Sequence, residues 1–290
     1  LENIGPLNVK IQLMNMKAPI YLAILAIGTL SQSSISSPYK LIDSASSNPV
    51  VVEEPNPLFL EDGEPTFSDH PILTPFTKAY KNELKSYARQ NVHGDGSCWI
   101  YVMVKILLRK TGKVARNRQQ DLGGAVIKRL DNYVTESFVK KFGAEGGKLV
   151  RSMRDLIVEV RRTKSIKELM SDAKNIDAMR SFVRNLIYAE DIDKKNLTEE
   201  DRRFLRLPNG EGTEQMMTKF LAPLGVDLWI VDPTEPEFTT LSHVNPVTAK
   251  GETLVLFDQP DVKRKLGELT EERETIILKT EGHYSLLQPN

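Results

Sequence analysis

The order of two apolar patterns restricts the fold of this chain more than any other feature. Ala115–Phe142, Lys148–Arg162, Ser165–Ala173 and Ile176–Ala189 carry apolar residues at three- and four-residue steps, and Gly212–Leu224 adds one more such stretch. From Val226 onward the apolar runs are short and bounded by Pro, Gly or polar residues: 226–232, 238–241, 253–257, 275–278 and 283–287. The first period is that of helices packed by one face, and the second is that of buried strands. Helices before strands predict an α+β fold, with helices packed on a small sheet assembled mainly from the C-terminal third. Thr77–Gln90, with Tyr80, Leu84 and Tyr87 on one side, predicts a helix, and Cys98–Lys110 predicts a strongly apolar one ended by Thr111-Gly112. Gly143, Gly146, Gly147 and Pro208 punctuate the helical region, and Ser165 and Thr198 have the character of N-caps.

The N-terminal quarter reads differently. Pro38, Pro49, Pro55, Pro57, Pro65, Pro71 and Pro75 fall among Ser, Asn and Asp, a density that opposes helices and central strands. Residues 1–76 therefore read as an extension with a linker or extended arm, and residues 77–290 as the folded domain. Within the extension, Met14–Ser37 has a short basic start, an apolar run of about 12 residues and a small polar tail, the shape of an export signal. Such a run falls short of the roughly 20 residues a membrane helix needs. A buried helix or a partner-binding segment is the equal alternative.

Charge and cysteine content remove several classes of function. Lys+Arg and Asp+Glu both number 39, so no global field draws the chain to nucleic acid or an anionic membrane. The single cysteine excludes an internal disulfide and thiolate metal clusters. Four histidines, His70, His93, His243 and His283, are scattered singly without a zinc-binding spacing, so no metal or cofactor is expected.

What remains is thiol chemistry. Cys98 lies in Gly94-Asp95-Gly96-Ser97-Cys98-Trp99, and His283 in Gly282-His283-Tyr284-Ser285. A lone cysteine in an apolar helix is most often a small core residue. Cys98, however, stands in the first turn after two glycines, where the helix dipole and unpaired amides favour a thiolate and can hold an oxyanion. His283, opening the last predicted strand, is the candidate base. His70 lies in the proline-rich arm, His243 in a predicted loop between strands, and His93 in the turn itself.

At these two runs the chain resembles the ovarian tumour (OTU) family of cysteine proteases. Asp95-Gly96-Ser97-Cys98 matches that family's Asp-Gly-x-Cys motif at a helix start, and Gly282-His283-Tyr284 matches its late strand motif. The resemblance spans about Leu84 to Gln288, with the helices between Ala115 and Leu205 divergent, as an insertion. It implies an OTU-like α+β fold with Cys98 as nucleophile and His283 as base, Asp95 counted with the active site, and Gly96 and Ser97 in the turn that lines the oxyanion hole. The Asn209-Gly210-Glu211-Gly212 turn falls where the family carries a glycine-bearing loop beside the substrate tail. Gly210 and Gly212 are thus candidate channel residues, and Trp99 either walls that channel or fills the core.

One position departs from the pattern. Many members place Asp or Asn two residues after the histidine, and this chain has Ser285. A serine hydroxyl accepts the imidazole N–H more weakly than a carboxylate. Asn91 or an acid of the arm such as Asp69 are the alternatives, and a dyad is a further one. The resemblance implies a deubiquitinase acting on ubiquitin or polyubiquitin chains through a thioester. The rivals are an inactive ubiquitin-binding protein on the same fold and an unrelated papain-like peptidase or acyltransferase. An export segment joined to ubiquitin chemistry suggests a bacterial effector delivered to a host cell; without export, the protein is cytoplasmic.

Overall fold

The computed structural model describes residues 39–42, 56–59, 71–92, 94, 96–111, 122–133, 138–162, 166–195, 197–207, 210–235, 238–244, 253–256 and 259–290. All of them fall in one compact unit. The export-like segment Met14–Ser37, Ser165, His70, His93, Asp69, Asp95 and Asn209 lie outside the described residues.

The protein is α+β. Its described helices are α1 (Leu73–Ala79), α2 (Lys81–Leu84), α3 (Cys98–Thr111), α4 (Leu122–Tyr133), α5 (Lys140–Arg162), α6 (Ile166–Met170), α7 (Ala173–Lys194), α8 (Glu199–Arg206), α9 (Glu214–Leu221) and α10 (Gln259–Glu271). Its strands are β1 (Asn56–Pro57), β2 (Tyr87–Gln90), β3 (Leu228–Glu235), β4 (Phe238–Val244), β5 (Thr253–Leu256), β6 (Ile276–Thr280) and β7 (His283–Pro289). They form one mixed sheet in the order β1-β2-β7-β6-β3-β4-β5, parallel only between β3 and β6.

Strand alternation divides the interior. Ile230, Ile277, Tyr284 and Leu286 join the core beneath α3, while Trp229, Val231, Ile276, Leu278 and Leu287 join a second core with α1, α2 and α10. Both faces of the sheet are therefore covered by helices. Helix α3 is apolar nearly all round and contacts α4, α5, α7, α9 and β7, which makes it the central helix of the larger layer. Among the described residues no helix is long and apolar enough to cross a membrane.

The helix expected over Thr77–Gln90 is instead three elements: α1 begins at Leu73, α2 ends at Leu84, and Tyr87–Gln90 is a strand. Tyr80, Leu84 and Tyr87 are indeed buried on one side, in the second core. The spacing marked the buried face but not the element, because Tyr87–Gln90 pairs with β7 and the Tyr87 hydroxyl donates to the Glu274 carbonyl at 2.6 Å. His243 is within β4 rather than in a loop; its ring stacks on Trp229 with centroids 3.9 Å apart. Pro233 does not end β3, since a register shift between Pro233 and Glu235 accommodates it. Helix α5 runs on through Gly146 and Gly147, with its kink at Gly143.

Thr198 caps α8 with a full capping box, its side chain accepting from the Asp201 amide while the Asp201 side chain accepts from the Thr198 amide. Helix α10 has no counterpart among the predicted elements, though Val262, Leu266 and Leu269 carry its buried stripe. Two stretches of the proline-rich region are docked. Leu58 is buried in the second core beside β1, and the Ile42 backbone is clamped by Asn185, which accepts from its amide at 2.7 Å and donates to its carbonyl at 3.0 Å.

Candidate active site

The sheet and α3 bring Cys98 and His283 to the same end of the molecule. Cys98 is the first residue of α3, and the Ser97 carbonyl accepts from the amides of Ile100 at 2.9 Å and Tyr101 at 3.2 Å. Ser97 is thus the residue from which the helix starts, and Cys98 occupies the turn where a helix keeps its unpaired amides and positive dipole end. The approach uses Gly96 at φ +77°, in the left-handed region that favours glycine. The Cys98 side chain is buried, with 4 % of its surface exposed.

His283 opens β7 and is partly exposed. Its Nδ1 lies 3.7 Å from where a Cβ on Gly94 would stand, so the imidazole rests against the turn that leads to Cys98. Its Nε2 is 3.3 Å from Asn91 Oδ1. Pairing of β2 with β7 ends at Gln90 opposite Leu286, and one further step puts Asn91 opposite Ser285, diagonal to His283. Ser285 itself is fully buried, and its Oγ accepts from Arg89 Nε at 3.1 Å. Of the two described candidates for an orienting partner, the imidazole meets Asn91, and the Ser285 hydroxyl is held by Arg89.

Gly210 and Gly212 lie against Trp99, the residue after Cys98. Trp99 Nε1 donates to the Gly210 carbonyl at 3.1 Å. A Cβ on Gly212 would fall 2.0 Å from the Trp99 ring, a contact that only glycine allows. Trp99 is fully buried, so it forms the floor under this loop rather than an exposed wall. The Tyr284 hydroxyl donates to the Gly212 carbonyl at 3.4 Å. Burial pushes the Tyr284 phenol up against the opposing charge of Lys279, so it stays a donor at neutral pH.

Sequence reasoning missed the charged groups behind this site. Lys279 of β6 bridges Glu214 at the start of α9 and Asp232 of β3, at 3.0 and 2.8 Å. Burial alone would lower the Lys279 ammonium, but its hydrogen bonds to Asp232 and Glu214 hold it above the usual lysine range. On α7, Arg180 and Arg184 are fully buried and reach Ser97. Their signal was present in the sequence: both fall among Ile176, Met179, Val183 and Ile187, on the buried side of a helix where a charge is unexpected. Among the described residues no three His, Cys, Asp or Glu side chains are grouped as metal ligands would be.

No protein-family model matches the chain, and no curated protein matches it. Solved structures with a similar fold include h/ceOTUB1 with ubiquitin aldehyde and UBCH5B~Ub, at 12% identity and TM-score 0.47 over 74% of this chain and 82% of that one. Another is h/ceOTUB1 with ubiquitin aldehyde and UBC13~Ub, at 11% identity and TM-score 0.48 over the same shares, 74% and 82%. A ceOTUB1 complex with ubiquitin aldehyde and UBC13~Ub is 12% identical, with TM-score 0.46 over 77% and 88%.

Proposed function

We propose that this protein is a cysteine-dependent deubiquitinase of OTU type, with Cys98 as nucleophile, His283 as general base and acid, and Asn91 as the group that orients the imidazole. The carrying observation is the placement of His283. Asn91 engages Nε2 while Nδ1 lies against Gly94 in the nucleophile turn, which leaves the second nitrogen to serve the thiol at the start of α3. The Asp95-Gly96-Ser97-Cys98 and Gly282-His283-Tyr284 motifs supply the substrate class. Residues 77–290 carry the catalytic residues, and the parts of the N-terminal extension docked on them, among them Leu58, Leu73 and the Ile42 backbone, belong to the same folded unit.

In this mechanism the Cys98 thiolate attacks the carbonyl carbon of ubiquitin's terminal glycine, and a Sγ–C bond forms. First-turn amides of α3 hold the developing oxyanion. Collapse breaks the C–N isopeptide bond, and His283 gives its proton to the departing lysine amine. Water then attacks the thioester, His283 takes a proton from it, and the ubiquitin carboxylate leaves with the thiolate restored. Asn91 fixes the ring but adds no negative charge, so the imidazolium is less stabilised than beside a carboxylate. The Gly210–Gly212 loop is held down on Trp99, and its glycines are required by that close approach to Trp99 and to the Phe204 backbone.

A panel of ubiquitin dimers tests the proposal. The wild-type chain cleaves at least one linkage and Cys98→Ala cleaves none. Intact dimers throughout the panel with folded wild-type protein would contradict it.

A further inference from the structure

Arg180 and Arg184 lie one turn apart on α7, and both are fully buried, as is Ser97. Ser97 Oγ accepts from Arg180 Nη2 at 3.0 Å and from Arg184 Nη2 at 3.4 Å. Arg184 also donates to the carbonyls of Phe204 and Leu205 at the end of α8, at 2.9 and 3.0 Å, and to the Gly210 carbonyl at 3.1 Å. Its guanidinium carbon stands 5.6 Å from the centroid of the Trp99 ring. Two guanidinium groups are thus brought, out of water, to one hydroxyl.

Both charges converge on the residue that precedes Cys98. A positive field behind a helix N-terminus favours a thiolate over a thiol, and it adds to the dipole of α3. The same two side chains tie the nucleophile turn to the Gly210–Gly212 loop. We propose that Arg180 and Arg184 are positioning residues for Cys98, which act through Ser97 to favour its thiolate and to hold the turn against the loop. The proposal rests on Cys98 being the nucleophile, as argued above. It assigns to the thiol side of the site the charge that the neutral Asn91 does not supply on the imidazole side.

Other charged or titratable groups around the thiol are His283 and Tyr284 of β7, Glu214 of α9, and Lys279 of β6 with its partner Asp232 of β3. His93 and Asp95 flank the thiol in sequence. Variants at Arg180 leave all of these in place, so a change in thiol reactivity reports the arginine.

Cys98 is the only cysteine, so iodoacetamide alkylation of the full chain, followed by intact mass, reads one thiol. At pH 6.5 an ordinary thiol is mostly protonated, and at pH 9.5 it is mostly ionised. Arg180→Met is expected to slow alkylation about tenfold at pH 6.5, equivalent to one unit of thiol acidity. At pH 9.5 it should converge with wild type to within about twofold, and Arg180→Lys should retain most of the wild-type rate at pH 6.5. Ser97→Ala, which keeps both arginines and removes the hydroxyl they share, should slow alkylation a few-fold at pH 6.5 and serves if Arg180→Met does not fold. Equal rates at pH 6.5, or the same slowing at both pH values, would overturn the proposal. Dimer cleavage reports separately: uncleaved dimers with the expected alkylation pattern would remove the substrate assignment and leave the role of the arginines standing.

Discussion

Cys98 and His283 reach the site from unlike surroundings. Cys98 starts a helix whose side chains are buried nearly all round, and the residue before it is held by two buried guanidinium groups. His283 opens β7, a strand between β2 and β6, is partly exposed, and its Nε2 lies 3.3 Å from the neutral amide of Asn91. The turn before the thiol is thus held by two buried cations, while the contact described for the imidazole is with a neutral amide. On the proposed reading, nucleophile strength then comes more from stabilising the thiolate than from a strong base. Changes on the two sides should then have different signatures.

The largest effect is expected on the imidazole side. His283→Ala should lower kcat/KM on a ubiquitin substrate by 10²-fold or more, since no described neighbour can replace its proton transfer. Asn91→Ala should cost roughly tenfold, while Ser285→Ala, whose hydroxyl serves Arg89, should change kcat/KM less than about threefold. Steady-state kinetics on the two variants distinguishes the two orienting candidates. A larger loss at Ser285 than at Asn91 would reverse the assignment.

The loop between the two sides comes next. Gly212→Ala would drive a Cβ into the Trp99 ring, and overpacking of that kind costs about 1–3 kcal/mol. A melting temperature lowered by several degrees, with a raised KM, is the expected result. Wild-type stability would show that Trp99 does not support the loop.

The smallest effect tests the far part of α3. Lys105 is 4 % exposed, and its Nζ has no hydrogen-bond partner among the described residues. Burial, with Arg109 beside it, pushes the ammonium down to about 7. The unfolded chain keeps that proton to about pH 10.4, so between these values the unfolded state binds more protons and stability rises with pH. Below about pH 7 the fold carries the full cost of a buried charge. Lys105→Met should therefore stabilise the protein by about 2 kcal/mol at pH 6.5, with the gain over wild type shrinking toward pH 9 in thermal melts. A gain that is the same at both pH values would place its origin in packing.

The regions that were legible in the sequence are those where local pattern and tertiary environment agree. The apolar run after Gly96 is a helix because it is buried on every side, and the strands of the last third alternate between two cores. The Thr198 cap is equally local. Tyr87–Gln90 was not legible, because its strand state depends on β7, nearly two hundred residues away. Asn91 was legible only as one alternative among several, since β2–β7 register decides that it reaches His283. Arg180 and Arg184 were hidden for a related reason. Their chemistry is visible only when α7 is seen behind the nucleophile turn.

The central claim is that Cys98 is a nucleophile that recognises the ubiquitin C-terminus. Its most direct test is incubation of the full chain with a ubiquitin probe bearing a C-terminal electrophile, read by intact mass. The account predicts one adduct per chain on wild type and none on Cys98→Ala. Folded wild-type protein that binds ubiquitin but forms no adduct would contradict it.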